Sequence, residues 1–317
     1  APIAPGPGEA LVAVRAIGVC GTDLSGYLGK MPFIQCPRIL GHELGVEILA
    51  VGEGVSHLQP GDRCSVEPYL NCGACHACAQ GRTNCCEQLE VLGVHCDGGM
   101  RELLLLPAVK LHPSATLSFE QLALVETLAI GCHAVERSGL CGSEDALILG
   151  AGPIGLSVLE FARLKTRGIR VVERDESRRR FVQQHYPEVT VLDHADGDAP
   201  AQVVFDATGQ AAAMAASFSL ARFTGRVVFV GITKDPVPLD DPLFHRRELA
   251  LLASRNALSA DFTRIISLIE SGTIDTRPWI TQRAAFDDAP ELFERLVSGR
   301  EPAVKAVIQL ESPALHP

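Results

Sequence analysis

Residues 146–180 read ALILGAGPIGLSVLEFARLKTRGIRVVERDESRRR, and this stretch decides the fold. A short apolar run, Ala146–Leu149, ends in Gly150-Ala-Gly152-Pro-Ile-Gly155 and passes into an apolar-periodic segment over 153–166. The reading is strand, tight glycine turn, helix. G-x-G-x-x-G alone is weak evidence; the flanking strand and helix give the glycines a purpose. Gly150, Gly152 and Gly155 permit a sharp turn and close approach of a pyrophosphate to the helix N-terminus, which Pro153 and Ile154 open. A second apolar run, IRVVE, ends in Glu173, eighteen residues past Gly155. A carboxylate there accepts hydrogen bonds from the adenosine ribose hydroxyls and repels a 2′-phosphate, so NAD is expected rather than NADP. Arg174 beside it is the counter-signal, since an arginine can meet a phosphate.

The alternation continues downstream. Strand VVFDA, a helix over 211–221 and strand RVVFVG follow, with Thr208 in DATG and Val230 placed at strand ends where cofactor contacts fall. Strands alternating with helices predict a parallel, doubly wound sheet. Upstream the pattern differs. Leu11–Val19, Leu44–Val51, Arg63–Val66 and Met100–Leu106 are short apolar runs bounded by Gly, Pro or Asp, as in a small β-rich barrel. SFEQLALVETLAIGCHAVERSG then turns helical, with Ser118 and Gln121 forming a capping box. Past a strand at Leu249–Ser254, helices near 260–271 and 287–298 and strand AVKAVIQL close the chain. The expected layout is a β-rich domain over 1–124, an inserted α/β domain over 125–256, and a return to the first over 257–317.

Two groups of residues have metal-ligand chemistry. NCGACHACAQGRTNCC spaces Cys72, Cys75, Cys78 and Cys86 as C-x2-C-x2-C-x7-C, within a lobe at about 71–87. Four thiolates on one short loop suit a closed tetrahedral Zn²⁺ site, which cannot be catalytic because no coordination position stays open. Cys85 could stand in for Cys86, but the spacing favours Cys86. The second group is dispersed. Cys20 in CGTD follows a strand and His42 in GHE precedes one. Joined by one carboxylate they would give three ligands and an open position, the arrangement of catalytic zinc. Glu43 and Glu126 compete for the third place, and Asp23 is suited to hold a metal-bound His42 from behind.

Composition narrows the class. The chain has 317 residues, 47% hydrophobic and 21% charged, with a formal net charge of −10. That balance describes an ordinary globular protein and argues against a nucleic-acid partner, which wants a basic face. The best apolar run, over 146–162, is broken by Gly and Pro, so neither a membrane span nor a leader peptide is expected. Eleven cysteines with metal-type spacing point to a reducing cytoplasm rather than to disulfides.

CGTD, GHE, CGACHAC…NCC, ETLAIG, GAGPIG and DATG, in that order over nearly the whole chain, resemble the zinc-dependent medium-chain dehydrogenase/reductase family in its sorbitol dehydrogenase-like branch. The resemblance implies a GroES-like β-rich catalytic domain with an inserted Rossmann domain, and a homo-oligomer, dimer or tetramer. It implies that Cys20 and His42 hold the catalytic zinc, with Glu126 or Glu43 completing the shell. Thr22 would pass the proton outward and Arg255 would meet the substrate; His95, by its place just past the lobe, is the further candidate to line the pocket. Classical alcohol dehydrogenases carry cysteine where Glu126 stands, so a polyol or sugar substrate is expected. GRTNCCEQLEVLGVHCDGG and FHRRELALLASRNALSADF are most similar to the sugar-acid members, the L-galactonate and L-gulonate 5-dehydrogenases. The implied reaction is NAD⁺-dependent oxidation of a secondary alcohol on a sugar acid or polyol. L-Threonine or a sugar-alcohol phosphate are the alternative substrates, and an NAD-binding scaffold with one structural zinc is the non-enzymatic alternative.

The chain also departs from the family. Ser25 stands where many members end their proton relay in histidine, and a serine takes up no proton near neutral pH. Members carry a further strand ahead of EALVAVRAIGVCGTD and a longer stretch between His185 and Val203, so residues are expected to be missing from both places.

Overall fold

The computed structural model describes residues 4–195, 197–299 and 303–311. The contacts divide the chain into two compact units, one of residues up to Glu126 together with those from Leu258, the other of Thr127–Ala257.

The first unit is built around the strand Glu9–Val19, which is buried along most of its length. It pairs antiparallel with Glu43–Val51, Lys305–Gln309 and Leu103–Pro107. The sheet runs Ile280–Ala285, Lys305–Gln309, Glu9–Val19, Glu43–Val51, Arg63–Val66, Leu111–Ser114. Val12, Val14, Ile17, Val46, Ile48, Leu104, Leu106 and Ile308 fill its core. Burying each such side chain stabilises the fold by roughly 1.5–3 kcal/mol, which holds the strand ends that carry the site. The strand expected at Met100–Leu106 begins at Leu103 instead. The backbone N–H groups of Gly98, Gly99 and Met100 are used elsewhere, donating to the carbonyls of Ile39, Gly41 and Leu40. Those bonds clamp the turn that leads into His42. A small second sheet pairs Tyr69–Leu70 with Glu90–Val91 at the base of the cysteine lobe.

Register assembles three strand ends in one place. Gly18 pairs with Glu43, and Val19 pairs with Ala306. Cys20, Glu43 and Lys305 therefore lie side by side, with His42 one residue before Glu43. Gly18 is required here, because a Cβ on it would come within 2.1 Å of the Glu43 carboxylate.

The second unit holds a six-stranded sheet in the order Thr190–Leu192, Ile169–Val172, Ala146–Leu149, Ala201–Asp206, Ala221–Phe229, Ala250–Ala253. All five pairings are parallel. Numbered along the chain this is 3-2-1-4-5-6, the doubly wound dinucleotide-binding order, and it reverses between Ala146–Leu149 and Ala201–Asp206. Some boundaries differ from expectation. The helix after the glycine turn is Pro153–Ala162 rather than 153–166. Beyond Ala162 the chain turns back, and Thr166 Oγ1 donates to the Glu144 carbonyl at 2.6 Å. The helix expected over 211–221 ends at Ser217 and tightens into a 3₁₀ turn over Phe218–Leu220. The edge strand Thr190–Leu192 and the helices Gly21–Tyr27 and Asp241–Arg246 have no counterpart in the sequence reading. The capping box does form: Ser118 N–H donates to Gln121 Oε1 at 3.1 Å, and Gln121 N–H to Ser118 Oγ at 3.2 Å.

Candidate active site and metal centres

Among the described residues, two groups bring metal-type donors within 4.8 Å of one another: Cys72, Cys75, Cys78 and Cys86, and Cys20, His42 and Glu43.

The four-cysteine group is formed locally and is served by backbone N–H donors. Cys72 N–H and Gln88 N–H each reach Cys86 Sγ at 3.3 Å, and Cys75 N–H reaches Cys72 Sγ at 3.4 Å. The Asn71 amide adds a contact to Cys78 Sγ at 3.8 Å. The backbone N–H groups of Cys78 and Glu87 draw the Cys75 thiol down to about 6. Burial and its neighbour Cys75 push the Cys78 thiol up to about 11. A divalent cation would let all four ionise, so this donor set fits zinc.

The second group is buried and is supported by side chains. His42 is 6% exposed and Glu43 1% exposed, and among the described residues Glu43 Oε2 has no hydrogen-bond partner. Asp23, fully buried in the first turn of the helix Gly21–Tyr27, accepts from Cys20 N–H at 2.9 Å and Gly41 N–H at 3.1 Å. Its Oδ1 lies 3.5 Å from His42 Nδ1. Burial would raise the Asp23 carboxyl, but His42 and the two N–H groups hold it below the usual carboxylate range. Lys305, only 2% exposed, donates to Glu43 Oε1 at 2.5 Å. Burial works against its charge, yet Glu43 and Cys20 outweigh that and raise its pKa. A thiol, an imidazole and a carboxylate oxygen left without a donor fit a zinc ion with a position to spare.

Glu126 does not join this group. It is 5% exposed, feels the charges of His42, Glu43 and Lys305, and accepts a hydrogen bond from the Tyr69 hydroxyl on Oε1. Burial raises its carboxyl above the usual range. Thr22 and Ser25 lie half-buried on the Gly21–Tyr27 helix. His95 is exposed, and its Nδ1 accepts from Val91 N–H at 3.1 Å, closing the turn beyond the lobe.

In the second unit, Gly150 adopts a φ of 93°, and a Cβ on Gly155 would lie 1.8 Å from the Gly150 carbonyl oxygen. The Gly150–Gly155 turn therefore closes only with glycine at its final position. Glu173 sits beneath the turn: Oε2 accepts from Ala151 N–H at 2.8 Å and Oε1 from Asp175 N–H at 2.9 Å. Arg174 is exposed, with its carbonyl accepting from Arg179. The cation near the Glu173 carboxylate is instead Arg178, whose Nη1 lies 3.9 Å from Oε2 and beside Gly152. Thr208 donates to Asp206, and Val230 N–H donates to the Asp206 carbonyl at 2.9 Å. Arg255 is exposed just past Ala250–Ala253, next to Asn256 with its φ of 51°.

Sequence reading missed three of these supports. Lys305 left a signal, a lysine inside the apolar run AVKAVIQL, which has to find a carboxylate if the strand is buried. Tyr69 and Arg178 left none.

The comparisons agree with this geometry. Residues 6–116 match the alcohol dehydrogenase GroES-like domain, and residues 153–271 match the zinc-binding dehydrogenase domain. L-Galactonate-5-dehydrogenase of Escherichia coli is 38% identical over 315 residues, covering 96% of this chain and 92% of that one. Among solved structures, a zinc-binding dehydrogenase of Sinorhizobium meliloti bound to NADP aligns with a TM-score of 0.87 at 30% identity, covering 97% of this chain and 93% of that chain. An alcohol dehydrogenase of Escherichia coli complexed with NADH aligns at 0.88 and 25% identity, covering 98% and 94%. The chain belongs to the zinc-dependent medium-chain dehydrogenase/reductase family. It is an oxidoreductase of the alcohol and polyol dehydrogenase class.

Proposed function

We propose that this chain oxidises a secondary alcohol on a sugar acid or polyol to the ketone with zinc and NAD⁺, acting by preference on L-galactonate- or L-gulonate-type acids at carbon 5. The observation that carries the reading is the incomplete donor set: Cys20, His42 and Glu43 converge, and among the described residues no fourth protein donor joins them. The same reading makes the first unit the catalytic domain, with Cys72, Cys75, Cys78 and Cys86 as its structural zinc site. The second unit is the dinucleotide-binding domain.

Bound in these sites, zinc would supply Lewis acidity at the substrate hydroxyl and NAD⁺ would supply the hydride acceptor. The alcohol loses a hydride from carbon and a proton from oxygen, so the chain's own task is to orient the substrate and conduct the proton. Asp23 orients His42, and Lys305 holds one oxygen of Glu43 while the other accepts no hydrogen bond among the described residues. Thr22 is our candidate for the first hydroxyl on the outward path. With Ser25 in place of a histidine, water is the terminal proton acceptor. Arg255 is our candidate partner for the acid's carboxylate, and His95, turned to Val91, is the weaker candidate. Glu173, anchored at both oxygens, presents a carboxylate to the adenosine ribose and disfavours a 2′-phosphate. A homo-oligomer working in the cytoplasm completes the reading; a reducing compartment suits eleven cysteines.

The test is nicotinamide reduction by zinc-loaded enzyme, with NAD⁺ and NADP⁺ offered separately. The panel holds L-galactonate, L-gulonate, L-idonate, sorbitol, galactitol 1-phosphate and L-threonine. Turnover confined to the aldonates with NAD⁺ is expected. Turnover on sorbitol alone keeps the chemistry and removes the acid. Turnover on threonine or the phosphate alone replaces the substrate class.

A further inference from the structure

Tyr69 is buried, 2% exposed, and its hydroxyl donates to Glu126 Oε1. Both residues feel the metal-type cluster: Cys20 and Glu126 act on the phenol, and His42, Glu43 and Lys305 act on the carboxylate. Glu126 is thus within electrostatic reach of the cluster but is not one of its donors. A carboxylate so placed is the natural fourth ligand, and a fourth protein ligand would close the site to substrate. We infer that Tyr69 is a positioning residue that tethers Glu126 outside the Cys20, His42 and Glu43 donor set and so keeps the remaining position open.

The surroundings of Tyr69 are those of a fixed tether. Its ring meets Phe262 edge-on, with centroids 6.3 Å apart at 73°. Phe262, fully buried, stacks on His112 at 5.0 Å and 18°. The short strand bearing Tyr69 pairs with Glu90–Val91 and is pinned on either side. Glu67 binds Lys110 at 2.5 Å, and Asn71 accepts from that same lysine at 2.8 Å. Glu67 has its own cation, so the phenol is committed to Glu126. The ring cannot swing away without giving up its edge contact with Phe262, and the carboxylate cannot leave without stranding a buried hydroxyl.

The inference rests on the metal reading proposed above, and the experiment separates the two. Zinc content is measured first, then the rate of zinc loss to a chelator, then kcat and KM, for the native chain, Tyr69→Phe, Glu126→Gln and the double variant. Tyr69→Phe should keep two zinc ions and release the catalytic one about tenfold more slowly, because the freed carboxylate adds a donor. Its KM should rise about tenfold with a smaller change in kcat, since Glu126 now competes with substrate for the open position. Removing Glu126 as well should restore the native release rate. Tyr69→Phe with two zinc ions and an unchanged or faster release rate overturns the inference alone. Should Tyr69→Phe fail to fold, Glu126→Gln decides: release unchanged supports a tethered bystander, and release more than about tenfold faster makes Glu126 a ligand already and overturns the inference. One zinc ion in the native chain overturns both the inference and the metal reading.

Discussion

The two metal-type clusters of the first unit are made in opposite ways. In the lobe, all four sulfurs come from within fifteen residues, Cys72 to Cys86, and their hydrogen-bond partners are mostly backbone N–H groups of the same loop. In the buried cluster, the donors come from the ends of different strands, and their supports are charged side chains, Lys305 being 262 residues from Glu43. The lobe is saturated by four like donors, whereas the buried cluster has three unlike donors with a carboxylate held nearby. Local assembly suits a site whose task is to hold a loop together. Assembly by strand register suits a site that has to present an open coordination position at a defined place.

Three substitutions test that contrast, beginning with the largest effect. Cys20→Ser should lower kcat/KM by about 10³-fold, since losing the Lewis acid forfeits roughly 4 kcal/mol of transition-state stabilisation. Metal analysis should fall from two zinc ions to one while NAD⁺ affinity stays unchanged; surviving turnover would remove Cys20 from the site. Cys75→Ser should instead act on stability. Its zinc content should also fall by one, and Tm should drop by about 5 °C, the equivalent of roughly 3–4 kcal/mol for a chain this size. Folded protein at 25 °C should retain its turnover within a few-fold, and loss of both zinc ions would show that the clusters are not independent. Asp23→Asn should be mildest. It preserves shape but weakens the hold on His42, so zinc affinity measured by chelator competition should fall about 10–100-fold. Zinc-saturated Asp23→Asn should keep most of its kcat; an unchanged affinity would make Asp23 a folding residue only.

Much of this was legible because the signals are short-range. The lobe spacing, the strand–glycine–helix turn and the Ser118–Gln121 capping box each depend on residues a few positions apart, and each folds much as its sequence reads. Helix ends were less legible: nothing local stops the helix at Ala162, and the Thr166 bond to Glu144 forms only once the neighbouring strand is in place. Thr190–Leu192 is three residues long and at a sheet edge, too short to register as a pattern.

By itself the sequence determined the family, the doubly wound cofactor unit, the four-cysteine lobe and the short list of buried-site residues, because motif order and spacing along the chain carry that information. Tertiary structure alone brings Glu43, rather than Glu126, together with Cys20 and His42. The pairing of Gly18 with Glu43 opens room for one carboxylate beside Cys20, Lys305 arrives on a third strand to neutralise it, and the other carboxylate accepts a hydrogen bond from the Tyr69 hydroxyl. The physical reason is that each of those contacts joins residues distant in sequence, and only the register of packed strands brings them within hydrogen-bond reach.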